Sequence, residues 1–145
     1  MPPPKRGAFL QGFTLMEVMV TLLIIGIMAS VAGPVYLRTV ERSYWKATRD
    51  ILQTIYSGEW VYESINDQFV DPADIVAAPA GWRTIHMDSP NGSVLPVTFT
   101  VSNVAPTTFT VTATRNGGGT CNTLTQTINQ DRVIGGTWPA SGNCP

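Results

Sequence analysis

Glu17 is a single charged side chain inside an almost wholly apolar stretch that runs from Phe13 to Val35. About 20 apolar residues suffice to cross a bilayer as a helix, and an ionisable group inside such a span costs about 2.5 to 3.5 kcal/mol. A carboxylate there needs either a positive partner or a path to water at the membrane surface. Glu17 is therefore the one residue whose position demands a chemical explanation.

The other reactive side chains form no pattern typical of catalysis. His86 has no second histidine to work with, and the glycine run Gly117–Gly119 lacks the Lys-Ser or Lys-Thr pair of a phosphate loop. Four acids could supply oxygen ligands to calcium, but their spacing fits no recognised loop and favours an acidic, solvated loop: Asp67, Asp71, Asp74 and Asp88. We therefore predict that the chain is not an enzyme and that it has no catalytic residue, metal site or cofactor.

Charge and length favour a single domain that does not bind nucleic acid. The 145 residues carry 9 basic and 10 acidic side chains. Two of the nine, Lys5 and Arg6, lie in the first 12 residues. The rest of the chain has seven basic side chains against ten acidic ones, a net charge of −3. The remaining arginines after Asn66 are too few and too scattered for a nucleic-acid surface: Arg83, Arg115 and Arg132.

A second helical pattern continues directly from the apolar stretch. Charged residues appear after Val35, namely Arg38, Glu41, Arg42, Lys46, Arg49, Asp50, Glu59 and Glu63. They leave an apolar stripe at helical spacing, formed by Leu37, Val40, Tyr44, Ala47, Ile51, Gly58, Val61 and Ile65. The pattern predicts one helix from about Phe13 to Asn66, whose second half offers this stripe to a sheet.

The rest of the chain predicts a loop and a small sheet. Residues 67–93 are interrupted by proline and glycine and predict a surface loop. Alternating apolar and polar residues predict three strands, at Leu95–Ser102, Thr108–Thr114 and Asn122–Asn129, and an irregular tail from Gln130 to Pro145. Short connections make these strands an antiparallel meander against the helix stripe. The predicted fold is α+β, with the sheet and tail in residues 94–145.

The start of the chain carries a family resemblance. Residues Gly12 to Glu17 read G-F-T-L-x-E directly after the short basic leader. This order, followed by the apolar run, resembles the processing site of type IV prepilins. The resemblance implies an inner-membrane precursor that a dedicated prepilin peptidase cleaves after Gly12, and the same enzyme methylates the new amino terminus at Phe13.

This resemblance also implies a division of the chain. Residues 1–12 would be the leader peptide, which its positive charges hold on the cytoplasmic side. Residues 13–35 would form the transmembrane and filament-core helix. Residues 36–145 would form the globular head, with the amphipathic part of the helix in residues 36–66.

The resemblance gives Glu17 and two helix positions specific roles. It implies that Glu17 neutralises the Phe13 amine of an adjacent subunit and so sets the register of assembly. There are two alternatives. Glu17 could pair with the Phe13 amine of its own helix, or its side chain could only extend to the membrane surface. The segment between Gly26 and Pro34 would loosen when subunits pack into a filament, because proline removes a helical hydrogen bond. An ordinary proline kink is the alternative.

Cys121 and Cys144 predict a disulfide in the last quarter of the chain. An even pair in an exported protein is typical of a bridge made outside the cytoplasm, and the chain-entropy model gives it roughly 3 to 3.5 kcal/mol. Two unrelated free thiols are the alternative. Pilins commonly close a carboxy-terminal loop this way, and the run F-T-V-T-A-T from Phe109 to Thr114 is similar to that of type IVa major pilins.

The sequence therefore indicates a structural subunit of a type IV pilus, a helical homopolymer exposed on the cell surface after an inner-membrane stage in lipid. An inner-membrane assembly platform and minor pilins are the further partners that the resemblance implies. A pseudopilin of a type II secretion system shares the same start, although such proteins usually carry calcium and lack the terminal disulfide. A minor pilin that acts as an adhesin or DNA-binding tip subunit is a third possibility. Twitching motility, adhesion, DNA uptake and secretion stay open as roles.

Overall fold

A computed structural model of the chain describes residues 12–75, 80–118, 121–142 and 144. The chain divides into two compact units, one that ends at Leu37 and one that begins at Arg38. Helix α1 (Leu15–Asn66) contributes residues to both. All strands lie in the second unit, which is the head of the molecule.

The single long helix that the sequence predicts is confirmed, with α1 covering 52 residues. It ends at Asn66 because the next residue, Asp67, adopts a left-handed backbone with φ of 56°, a conformation that terminates helices. The Asp67 N–H donates to the Glu63 carbonyl at 2.8 Å, and the Asn66 side-chain amide donates to the Tyr62 carbonyl at 2.9 Å. These bonds satisfy carbonyls that the last turn would otherwise leave unpaired.

The predicted antiparallel meander is also confirmed, with the strand order β1-β2-β3-β4. Its strands are β1 (Val97–Ala105), β2 (Thr108–Arg115), β3 (Thr125–Asn129) and β4 (Ile134–Gly136). Each pairs with the next in antiparallel register. The fold is therefore α+β, a long amino-terminal helix packed on a four-stranded antiparallel sheet, consistent with the type IV pilin fold.

Strand β4 corrects the prediction that the chain is irregular from Gln130 onward. Arg132 takes a left-handed backbone with φ of 61°, and its N–H donates to the Asn129 carbonyl at 2.9 Å. The Val133 N–H donates to the Asn129 side chain at 2.8 Å. This turn sends Ile134–Gly136 back along β3, although only one residue of β4 is large and apolar, too few for an alternating pattern to show in the sequence.

The hydrophobic core lies between the inward face of the sheet and the second half of α1. Val101, Val111 and Ile128 are register partners across β1, β2 and β3. Leu52 and Ile55 of α1 are fully buried against this face. The core further contains Phe69, Val70, Trp82, Ile85, Val97, Phe99, Phe109, Ala113 and Trp138. Burial of this apolar surface is the main term that holds the helix on the sheet.

The buried face of α1 differs from the predicted stripe. It consists of Thr48, Leu52, Ile55 and Glu59, whereas Ile65 of the predicted stripe is 69% exposed. Apolar residues occupy two neighbouring lines of the helix, so spacing alone does not decide which line faces the sheet. The prediction chose the line without polar residues. Tyr44 and Ile51 of that line do pack against the core, but the prediction missed the fully buried line, which includes a threonine and a glutamate.

The segment predicted as a surface loop also contributes to the core. It contains the short helix α2 (Pro72–Ile75) and a 3₁₀ turn (Ala80–Ile85), and the turn buries Trp82 and Ile85. A Cβ at Gly58 of α1 would lie 2.5 Å from the Ile85 carbonyl oxygen. Glycine at position 58 therefore lets the turn press directly against the helix.

An ion pair connects α1, near the start of the head unit, to the sheet. Arg115, the last residue of β2, contacts the Glu41 carboxylate at 2.7 and 3.2 Å. The same guanidinium donates to the Pro96 carbonyl at 3.2 Å and lies 5.2 Å from the centre of the Tyr44 ring. A paired, largely buried arginine with further acceptors satisfies the condition under which a buried charge is tolerated.

Candidate functional site

The predicted processing and assembly residues lie at the amino-terminal end of α1. Gly12, Phe13 and Thr14 precede the helix, and Thr14 caps it. The Glu17 N–H donates to the Thr14 carbonyl at 3.1 Å and to its hydroxyl at 3.2 Å. Thr14 and Glu17 therefore have the spacing of a capping box, and a carboxylate in the first turn is stabilised by the helix dipole. This local role for Glu17 was absent from the sequence prediction.

The side chains of the apolar half of α1 are exposed. Phe13 is 82% exposed and Leu15 is 78% exposed, and every described side chain from 12 to 39 is exposed. Among the described residues, α1 is the one helix long and apolar enough to cross a membrane, judged by length and composition. A continuous apolar surface of this kind requires cover from lipid or from other protein.

Gly26 and Pro34 both lie inside α1, which stays helical between them. A Cβ at Gly26 or at Gly33 would have no neighbouring atom within 4 Å. Glycine and proline are the two residues that weaken a helix interior most, at about 1 and 3 kcal/mol relative to alanine. Loosening of this segment on assembly stays a prediction, as do cleavage after Gly12 and the pairing of Glu17 with the Phe13 amine.

At the other end of the chain, Cys121 and Cys144 are joined by a disulfide with a Cα–Cα distance of 5.0 Å. Cys121 is buried in the turn before β3. The Arg115 carbonyl of β2 accepts the Thr123 N–H at 2.9 Å, so this turn is itself held against the sheet. The bridge therefore connects the carboxy-terminal tail to a fixed point of the head.

His86 and the acidic residues of the segment predicted as a loop were candidates for a metal site. Within the side chains that the structure describes, there is no group of three or more His, Cys, Asp or Glu that could hold a metal ion. The side chain of Asp74 lies outside the described residues. Asp88 instead forms an exposed ion pair with Arg83 at 3.5 Å, and His86 ends the 3₁₀ turn in a left-handed backbone with φ of 63°.

Glu59 is a chemically distinctive residue that the sequence prediction placed wrongly on the solvent face. It is fully buried in the helix–sheet core, and its Oε2 accepts the Val70 N–H at 3.1 Å. Burial is the largest cause that raises the pKa of Glu59 from 4.5 to about 7; the Val70 hydrogen bond opposes this shift and the nearby Asp71 charge adds to it. Its clue in the sequence is helical spacing from Leu52 and Ile55, which places a glutamate on an apolar line.

We expect Glu59 to make the stability of the head fall as the pH rises. Between pH 4.5 and about 7 the folded chain keeps a proton on Glu59 that the unfolded chain has lost. The corresponding stabilisation is complete below the unfolded pKa and lost as the pH rises through the folded pKa, in total on the order of 3 kcal/mol. Chemical denaturation of the mature chain in detergent at pH 5 and pH 8 measures this difference.

The variant Glu59→Gln should remove most of that pH dependence, because an amide side chain does not titrate. Its amide oxygen can still accept the Val70 N–H, so the hydrogen bond is kept. Asp50→Asn, an exposed change on the same helix, is the matched control and should leave the pH dependence in place. An unchanged pH profile in Glu59→Gln would show that this carboxyl group does not titrate between the two states as argued.

Comparison with known families concerns the amino-terminal segment. No curated protein matches the chain. Residues 11–33 match the family model described as the prokaryotic N-terminal methylation motif. That range contains the residues Gly12, Phe13 and Glu17 and almost all of the apolar, exposed part of α1. The chain therefore carries the prepilin signal of type IV pilin-like proteins at the start of an α+β fold consistent with theirs.

Proposed function

We propose that the chain is a structural subunit of a type IV pilus, made as a prepilin and polymerised into an extracellular filament. One observation supports this above the others: the prepilin signal lies on a helix whose apolar side chains the chain leaves uncovered, and this helix continues into a packed head. A lipid bilayer covers such a helix before assembly. Neighbouring helices in a bundle cover it afterwards.

In this proposal the residues of the first unit act in sequence. Cleavage after Gly12 releases a positively charged amine at Phe13, which is then methylated. Glu17 of an incoming subunit pairs with the Phe13 amine of its neighbour, which removes two isolated charges from an apolar environment. Gly26 and Pro34 allow the intervening helix to loosen as the subunits pack.

The prepilin motif implies two partners, a prepilin peptidase that processes the chain and further subunits in a pilus-type polymer. It also indicates a membrane-anchored precursor, and proteins with this motif are structural rather than catalytic. We further propose an inner-membrane assembly platform and minor pilins as partners, and the cell surface as the final location.

Two related functions share the same α1. A type II pseudopilin has an equivalent start and helix, but the Cys121–Cys144 disulfide favours a pilus subunit, and with the strand run from Phe109 to Thr114 it favours a type IVa major pilin. A minor pilin at the filament tip would differ in abundance rather than in fold. These proposals differ in where the chain is found and how much of it is present.

Electron microscopy of sheared surface filaments, with mass spectrometry of their subunits, tests the proposal. A major pilin should be the dominant protein of the filaments, and deletion of its gene should remove them. A trace amount would indicate a minor pilin. Cells that keep normal filaments after deletion, with the chain confined to the envelope, would contradict the pilus function and favour the pseudopilin.

A further inference from the structure

Three residues of the carboxy-terminal tail, Trp138, Ser141 and Gly142, lie against one short stretch of α1. The Arg42 guanidinium donates through Nε to the Ser141 carbonyl at 2.5 Å. The Trp45 indole N–H donates to the Trp138 carbonyl at 3.1 Å. Two side chains spaced three residues apart on one helix face therefore bind two carbonyls of the same tail.

Gly142 brings the tail backbone directly onto α1. Its φ is +68°, and a Cβ there would lie 2.7 Å from the Arg38 carbonyl oxygen and 2.9 Å from Cγ of Arg42. The close approach requires glycine, and the left-handed conformation favours it. The Gly142 N–H donates to the Pro139 carbonyl at 3.1 Å, so a turn within the tail presents this residue to the helix.

The same tail is fixed to the head at both of its ends. Trp138 is buried, and its N–H donates to the Thr125 carbonyl of β3 at 2.9 Å. Cys144 is joined to Cys121 by the disulfide. A segment held at both ends loses little further entropy when it binds a third element between them, so its contacts with α1 oppose local opening of that part of the helix.

These contacts begin at the boundary between the two units of the chain. Arg38 is the first residue of the head unit, and Val40 is the first residue of α1 whose side chain is partly buried. On the amino-terminal side, α1 contains Gly26 and Pro34 and its described side chains are exposed. Opening of that helix breaks few contacts, whereas opening beyond Arg38 requires the tail to be displaced.

We propose that the disulfide-closed tail is a clasp that keeps α1 helical from Arg38 onward and so sets the head-side limit of the helix that can loosen. The residues of this clasp are Arg38, Arg42 and Trp45 on α1 and Trp138, Ser141 and Gly142 on the tail. In the pilus function proposed above, this clasp would stop the loosening of α1 at Arg38. The inference rests on that function only in taking filament assembly as the step at which α1 loosens.

Hydrogen exchange of the full-length mature protein in detergent micelles tests the clasp. In Gly142→Val the amides of residues 39–46 should exchange on the order of tenfold faster, which is the effect of about 1.4 kcal/mol of lost local stability. Amides of residues 50–60, which the sheet covers, should keep their exchange rates. Gly118→Val is the matched control because a Cβ at Gly118 meets no atom within 4 Å.

Two further variants separate the clasp from general damage to the head. Arg42→Leu removes one tail contact without a steric clash and should accelerate exchange of the same amides to a smaller extent. Joint substitution Cys121→Ser and Cys144→Ser should accelerate them as Gly142→Val does. Unchanged exchange at 39–46 in all three variants, or acceleration spread equally over the head, would overturn the proposal. Because no filament is needed, these outcomes are independent of whether the chain forms pili.

Discussion

Cells that produce the Gly12→Val variant should accumulate the uncleaved precursor. The prepilin signal implies cleavage after Gly12, and the peptide bond to be cut lies in the non-helical residues just before α1. A Cβ at Gly12 has no neighbouring atom within 4 Å, so the added side chain does not disturb the fold. Any loss of processing therefore reports on recognition by the peptidase.

The expected decrease in the ratio of mature chain to precursor is on the order of tenfold or more, the scale on which one misfitting side chain lowers an enzyme's rate. Intact mass measurement on membrane extracts gives this ratio. Gly33→Val introduces the same side chain at another glycine without neighbours within 4 Å, and it should be processed normally. A normal amount of mature Gly12→Val would contradict cleavage at this position.

Glu17→Val should leave membrane insertion and cleavage intact while it abolishes filament assembly. Removal of the carboxylate makes the span more apolar, so insertion becomes more favourable. The gain is less than the cost of about 2.5 to 3.5 kcal/mol for a charge at the helix centre, because Glu17 lies in the first turn. On the proposed pairing, assembly loses the partner of the Phe13 amine, and one unpaired charge buried between helices costs about 3 to 5 kcal/mol. The amount of sheared surface filament, measured against the membrane pool of mature chain, should fall below detection.

Two matched variants distinguish charge pairing from a capping role for the Glu17 side chain, which has the spacing of a capping box with Thr14. Glu17→Gln retains the side chain of a capping box but carries no charge, and Thr14→Val removes the capping hydroxyl while keeping the carboxylate. The pairing account expects Glu17→Gln to fail in assembly and Thr14→Val to assemble. The reverse pattern would show that Glu17 serves to start the helix and not to join subunits.

Patterns that run through many residues made most of the fold predictable. The apolar stretch and the charged stretch after it have helical spacing, and the strands alternate strictly around Phe99 and Phe109. The disulfide partners were predictable because the sequence contains two cysteines and no others. Each of these signals depends on a repeated pattern or on the number of cysteines. None of them requires knowledge of how the side chains pack.

The features that escaped prediction depend on single tertiary contacts. Glu59 is buried on the sheet-facing side of α1, but in the sequence it is one more acid in a charged helix. Trp82 and Ile85 enter the core from a short 3₁₀ turn that has no periodicity. Gly142 contacts Arg38 across the whole length of the head sequence, and only coordinates bring these two residues together.

The most direct test of the pilus account is the mass of the amino-terminal peptide of the subunits in purified surface filaments. We expect this peptide to begin at Phe13 and to carry one methyl group on its amine, with residues 1–12 absent. Such a peptide would establish processing, methylation and export of the same molecule in one measurement. A filament subunit that begins at another residue, or one that retains the leader, would contradict the account.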